Sequence, residues 1–275
     1  MKIAALQMVS TPDVDRNLAA AQRLIAEAAG GGAALVALPE YFCLMGRRDT
    51  DKLAHAETPG DGPIQRFLSE AARTHGLTVI GGTLPMKTAD PARARNTCCV
   101  YGPDGALLAR YDKLHLFRYD NGKERYDEGA VLEAGDLPVA VDLPTAQGPL
   151  RTGLSVCYDL RFPELYRAMS FTEGEGPCDL ISVPAAFTYP TGQAHWELLL
   201  RARAVENQCY VIAAAQGGTH ENGRRTWGHS MVVNPWGEVV AVQAEGEGVV
   251  MAELDRARMA AVRMQLPALG HRRLG

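Results

Sequence analysis

Apolar runs of strand length alternate with amphipathic stretches of helical period along the whole chain. Residues 2–8 predict a first strand. Residues 15–30 predict a helix, with Leu18, Ala21, Ile25 and Ala28 on one face, an acidic start at Asp15 and a stop at Gly30-Gly31-Gly32. Residues 35–38 predict a short buried strand that ends at Pro39-Glu40. Pro63 opens a helix carrying Ile64, Phe67, Leu68 and Ala71, and residues 77–81 predict the next strand. Gly102-Pro103-Asp104-Gly105, between the runs 97–101 and 107–112, predicts a hairpin. In the second half, strands are predicted at 153–156, 179–183 and 210–215, with helices at 163–170 and 193–206. A second hairpin joins 230–233 to 239–242 through Asn234-Pro235-Trp236-Gly237.

This succession of βαβ units and hairpins predicts an α/β fold whose sheet is covered by helices. No Pro/Ser-rich linker or change of composition divides it, so residues 1–275 are read as one domain. In such folds sites collect at the carboxyl ends of strands. Segments 35–40, 107–113 and 153–157 each put a reactive side chain there.

Composition narrows the class. Lys and Arg number 28 against 32 Asp and Glu, a net charge of −4 without a basic block, which argues against a nucleic-acid partner. The longest apolar runs fall well short of the roughly 20 residues of a membrane span. The N-terminal run leads into Thr11-Pro12-Asp13 without a small-residue cleavage site, so it reads as a strand, not a signal peptide, and a cytoplasmic location is expected. The six cysteines, Cys43, Cys98, Cys99, Cys157, Cys178 and Cys209, lack zinc-type spacing and are expected to be reduced and mostly buried. Cys98 and Cys99 face opposite sides of a strand. No metal or cofactor is expected.

Cys157 differs from the other cysteines by position. It lies between a buried strand and a helix start, where a thiol is exposed beside backbone N–H groups that can hold an oxyanion. A packed thiol is the alternative reading. A nucleophilic cysteine needs a base, and His115 and His195 have the right chemistry but no evident orienting acid. Glu40 is the carboxylate alternative, set against a solvated strand end. Lys113 is a lone cation among aromatic and apolar neighbours, set against a surface lysine whose stem lies along apolar groups.

Taken in order, Leu38-Pro39-Glu40, then Tyr111-Asp112-Lys113-Leu114-His115-Leu116-Phe117, then Gly153-Leu154-Ser155-Val156-Cys157-Tyr158-Asp159-Leu160-Arg161-Phe162-Pro163-Glu164, resemble the carbon–nitrogen hydrolase (nitrilase) superfamily and its Glu–Lys–Cys triad. The resemblance extends over essentially the whole chain. Pro184-Ala185-Ala186-Phe187-Thr188, Thr191-Gly192-Gln193-Ala194-His195-Trp196-Glu197 and Trp227-Gly228-His229-Ser230 are similar to the Nit-type branch of ω-amidases and deaminated-glutathione amidases. Ala215-Gln216-Gly217-Gly218-Thr219-His220, Gly223-Arg224-Arg225 and the tail His271-Arg272-Arg273 look more like the latter.

The resemblance implies a four-layer αββα sandwich, commonly dimerised through its helical faces, and a second glutamate between the lysine and cysteine motifs. Glu128 in Tyr126-Asp127-Glu128-Gly129 matches it best, with Glu124 and Glu133 as rivals. It further implies an amidase working through a cysteine thioester. Glu40 is the base, Cys157 the nucleophile, and Lys113 with the Tyr158 N–H the oxyanion donors. Deaminated glutathione, cleaved to 2-oxoglutarate and Cys-Gly, is the implied substrate; α-ketoglutaramate or another small dicarboxylic monoamide is the alternative.

A dicarboxylic substrate calls for arginines. Arg224 and Arg225, in a glycine-flanked loop, are the candidates. Arg161 and Arg203 are equally well read as ion-pair partners of Glu164 and Glu206. Tyr41, Phe42 and Phe187 are expected to line the site, with His195 and Trp196 packed around it.

Overall fold

Two β-sheets lie face to face, and helices cover the outer side of each. The computed structural model describes residues 1–120, 122, 125–171 and 174–273. The first sheet takes β1 (Lys2–Gln7), β2 (Leu35–Ala37), β3 (Thr78–Ile80), β4 (Leu84–Lys87), β5 (Ala94–Tyr101) and β6 (Leu107–Asp112). A small ribbon of β7 (Arg118–Asp120) and β8 (Arg125–Asp127) follows. The second sheet takes β9 (Val139–Leu143), β10 (Leu150–Leu154), β11 (Leu180–Ser182), β12 (Tyr210–Ala213), β13 (Ser230–Val233) and β14 (Val239–Gln243), after which β15 (Gly248–Glu253) returns to the first. The helices are α1 (Val14–Gly30), α2 (Asp51–Ala54), α3 (Pro63–His75), α4 (Pro163–Ser170), α5 (Tyr189–Asn207) and α6 (Arg256–Gln265).

The first sheet runs β15-β1-β2-β3-β5-β4 with β6 also on β5, and the second β14-β13-β12-β11-β10-β9. Each has a parallel core of three strands, β1-β2-β3 and β10-β11-β12, flanked by antiparallel ones. Those core strands are mostly buried on both faces, which is why β2, β11, β12 and most of β1 read as apolar runs, while β10 keeps Arg151 half-buried at its start. Side chains alternate across the first sheet. Ile3, Ala5, Leu35, Ala37 and Cys98 join the layer between the sheets, while Ala4, Leu6, Val36, Leu38 and Cys99 lie under α1 and α3. The two adjacent cysteines do face opposite ways. All six cysteines are buried and unpaired.

Local sequence explains the helices. The Asp13 carboxylate caps α1 by accepting from the Arg16 N–H, and Asn17, Ala21, Leu24, Ile25 and Ala28 form its buried face. Full burial of a leucine or isoleucine there contributes about 1.5–3 kcal/mol. For α3, Pro63 sits in the first turn, Glu57 accepts from the Ile64 and Gln65 N–H groups, and Gly76 ends the helix in the left-handed region.

Some elements escape the sequence reading: β4, β9, β15, α6 and the β7–β8 ribbon. Pro85 argues against a strand, yet β4 is at the sheet edge, where a missing N–H is tolerated. The α6 helix is short and rich in arginine, so its apolar signal reduces to Met259 and Val262. Among the described residues no helix is long and apolar enough to cross a membrane.

The carboxyl ends of the two parallel cores meet at one end of the molecule. A bridge from Met8 to Gln216 ties β1 to the segment after β12, and the Gln216 amide donates to the Glu40 carbonyl at 3.0 Å. The three reactive segments open there.

Candidate active site

Glu40 follows β2 at a buried turn. Gly82 makes the approach feasible: its φ is +53°, and a Cβ there would lie 2.2 Å from the Pro39 carbonyl oxygen. The Glu40 side chain is 1% exposed and fully engaged. Its Oε1 accepts from Lys113 Nζ at 2.8 Å and from Asn96 Nδ2 at 2.9 Å, and its Oε2 from the Ala186 N–H at 3.0 Å. The last of these comes from the second sheet, so one carboxylate spans the seam.

Lys113 follows β6. Its N–H donates to Asn96 O, and its carbonyl accepts from Gly135, where a Cβ would collide with Asp112. The ammonium, with no solvent exposure, also reaches Glu128, at 2.8 Å to Oε2 and 3.1 Å to Oε1. Burial works against that charge, but Glu128 and Glu40 outweigh it and hold the ammonium well above the ordinary lysine value. Burial likewise opposes charge on Glu128, and Lys113 overcomes it, so this carboxyl is held below the ordinary glutamate value. Tyr41, at φ +57°, donates its hydroxyl to Glu128 Oε1 at 2.7 Å, and the Phe117 N–H donates to Oε2 at 2.7 Å. Of the rivals, Glu133 is drawn away by Arg95 at 2.6 Å, and Glu124 lies outside the described residues.

Cys157 occupies an elbow after β10 with φ +51°, a strained conformation for a residue with a side chain. Its N–H donates to Pro184 O at 2.9 Å, and the preceding Val156 N–H to Asp159 Oδ2 at 2.8 Å. Burial pushes the thiol well above the ordinary cysteine value, and the adjacent Glu40 carboxylate, to which the thiol hydrogen-bonds, pushes it further; Lys113 acts the other way. The resting arrangement is thus a neutral thiol beside a carboxylate.

Asp159 fastens these segments together. Fully buried, it accepts from the Val156 N–H, Tyr111 hydroxyl, His115 N–H and His115 Nδ1, at 2.7–3.0 Å. His115 therefore has a carboxylate partner, contrary to the sequence reading, and it stacks on Phe162. His195 is exposed and meets only the edge of the site, through Arg161 at 3.2 Å.

Other expected residues divide. Cys157, Tyr158, Phe187, Arg224 and Glu40 line one narrow pocket, with about 10 Å³ of open space, and Trp196 packs behind Phe187. Phe42 does not line it: the ring is fully buried against Phe67 in the core under α1 and α3. Arg225 points outward, stacked on Tyr189 and paired with Glu245. Arg203 makes its pair with Glu206. Arg161 makes none with Glu164 among the described residues; it lies over the Tyr158 and Phe187 rings at the pocket wall. A second cavity of about 410 Å³ adjoins the first, sharing Phe117, Glu128 and Arg224 and extending past Tyr41 to Lys52.

Sequence reasoning passed over Asn96, Asp159 and Lys52. Asp159 had a signal, an acid two residues after the candidate nucleophile. Asn96 had a weaker one, a lone amide entering an apolar strand. Lys52 had none.

Comparison with known proteins bears on the same geometry. The chain is 44% identical over 271 residues to a deaminated glutathione amidase of Synechocystis, covering 98% of this chain and 97% of that one. It is 40% identical over 274 residues to the omega-amidase NIT2 of Bos taurus, covering 99% and 95%. Among solved structures, Nit3 of Saccharomyces cerevisiae, a member of branch 10 of the nitrilase superfamily, superposes with a TM-score of 0.86 at 30% identity, covering 100% and 97%. Residues 2–264 match the carbon–nitrogen hydrolase family, to which this αββα chain therefore belongs.

Proposed function

We propose that the chain hydrolyses deaminated glutathione to 2-oxoglutarate and Cys-Gly through a thioester on Cys157. The observation that carries this reading is the buried contact of Glu40, Lys113 and Glu128 beside the Cys157 thiol, walled by Arg161 and Arg224. Glu40 takes the Sγ proton as sulfur attacks the amide carbon. An ammonium has three N–H donors; those of Lys113 go to Glu40 and to both oxygens of Glu128, and the longest contact, 3.1 Å to Glu128 Oε1, is the one given up to the tetrahedral oxyanion, together with the Tyr158 N–H. A donor of this kind contributes about 3–4 kcal/mol. Glu40 then gives its proton to the leaving nitrogen as the C–N bond breaks. Water attacks the thioester, Glu40 takes its proton, and the C–S bond breaks to regenerate the thiol.

The arginines suit the α-keto acid end of the substrate. The narrowness of the inner pocket favours a second reading, an ω-amidase acting on α-ketoglutaramate. The larger adjoining cavity favours the longer amide. Relative kcat/KM on the two amides ranks them.

The reading extends to a cytoplasmic homodimer. Six unpaired thiols suit a reducing compartment. Leu198 and Val205, seven residues apart on one face of α5, are exposed apolar side chains of the sort an interface covers.

Intact-mass spectrometry after mixing with deaminated glutathione tests the chemistry. A 2-oxoglutaryl adduct on the protein, missing in Cys157→Ala together with amidase activity, is the expected result. Undiminished turnover by Cys157→Ala overturns the proposal.

A further inference from the structure

The outer cavity has no role in the chemistry just described, yet it is built. At about 410 Å³ it is large enough for a ligand fragment, and it adjoins the inner pocket, sharing Phe117, Glu128 and Arg224 with it. Five basic side chains and three acidic ones line it, and one of the acids, Glu128, is already committed to Lys113. Lys52, on the short α2, stands out among the cations. Its side chain is only 14% exposed, its nearest carboxylate oxygen, on Asp49, is 3.9 Å away, and its ammonium lies 5.1 Å from the centre of the Tyr41 ring. It is a largely buried cation whose ion-pair partner, Asp49, stands off at 3.9 Å and is itself mostly exposed, an arrangement that favours an incoming anion.

Geometry fixes which end of a substrate meets it. The leaving nitrogen must lie beside Glu40 to receive its proton, and Lys113 joins Glu40 to Glu128. Glu128 in turn holds the Tyr41 hydroxyl, and the Tyr41 ring carries Lys52. A substituent on the leaving nitrogen that turns away from the acyl pocket therefore runs along Glu128 and Tyr41 towards Lys52.

We propose that the outer cavity is a subsite for the amine product, and that Lys52 selects amides whose leaving amine ends in a carboxylate. This rests on the amidase reading above and adds to it a determinant for the departing half of the substrate. Such a subsite separates peptide-like amides from primary amides, whose leaving group is ammonia and fills none of it. Burial disfavours the lysine's charge and lowers its proton affinity, while Glu128 and Asp49 act the other way; a bound carboxylate adds to the restoring side.

The test compares kcat/KM for deaminated glutathione, for the same compound with its terminal carboxylate converted to a carboxamide, and for α-ketoglutaramate. The wild-type enzyme is expected to prefer the carboxylate over the carboxamide by about tenfold or more, the range of a charge-assisted hydrogen bond. Lys52→Met is expected to bring that ratio close to one, and Lys52→Arg to keep most of it. A mere structural role for Lys52 lowers both substrates alike and leaves the ratio standing, which overturns the proposal. Equal wild-type turnover of carboxylate and carboxamide overturns it without any variant. Failure of the wild-type enzyme on all three amides instead refutes the amidase reading itself.

Discussion

In the proposed mechanism the buried, neutral Cys157 thiol is a poor nucleophile at rest and a ready one during attack, because its proton has only to move to the adjacent Glu40. Thiol acidity and catalytic power are thus opposed at Cys157. Burial raises the thiol's pKa first, and the Glu40 charge raises it further. Glu40→Gln removes the second cause while leaving the Lys113 charge in place. The pH profile of Cys157 alkylation by iodoacetamide should therefore shift to lower pH, since thiolate forms more easily, while kcat falls roughly 10²–10⁴-fold with the loss of the base. An unmoved alkylation profile, or retained turnover, shows that Glu40 does not act on this sulfur. The chemistry at this scale was partly legible in the sequence, because reactive residue types stand out after apolar strands. Asn96 was only faintly legible, since its partner Glu40 is far off in the chain, and Lys52 was not, since nothing in its local sequence sets it apart from a surface lysine.

Elements do the positioning. The turn after β6 carries Lys113 and the elbow after β10 carries Cys157, and they belong to different sheets. Asp159 joins them, taking Tyr111 and His115 from one side and Val156 from the other. Asparagine at this position has fewer acceptor sites, so at least one buried donor is left unpaired, at about 1–3 kcal/mol each. Asp159→Asn should lower stability in urea by that amount. It should also cut kcat by about tenfold or more while KM moves less, since misplaced catalytic groups weaken chemistry more than binding. A loss of stability with kcat intact limits Asp159 to a structural role. The hairpins and the longer helices were legible because periodicity and turn residues are local signals; the 163–170 helix falls where its proline start places it. β15 was not, although it completes the first sheet beside β1, because pairing across 240 residues of chain leaves no mark on either strand.

On the scale of the molecule, the site exists because two parallel cores present their carboxyl ends at one seam, and the outer helical layers are left to other uses. α5 shows this division. Its inner face puts Trp196 behind Phe187 and ties Arg203 to the Leu160 carbonyl, while its outer face leaves Leu198 68% and Val205 50% exposed. The nearby turn of the β13–β14 hairpin is tied to α5 by Arg201, which donates to Gly237 O at 2.7 Å, and Trp236 in that turn is 53% exposed. Charged residues would serve better on a face meant for water. The exposed aromatic and two aliphatic side chains are what the proposed homodimer would bury at a two-fold contact. Sedimentation velocity should find the wild-type protein at twice the chain mass at concentrations well above those of an assay. Leu198→Glu combined with Val205→Glu should reduce it to a single chain, because paired acids at a two-fold contact repel each other and lose their hydration. A wild-type protein that sediments as a single chain, or a double variant that stays at wild-type mass, removes the α5 face from consideration as the contact.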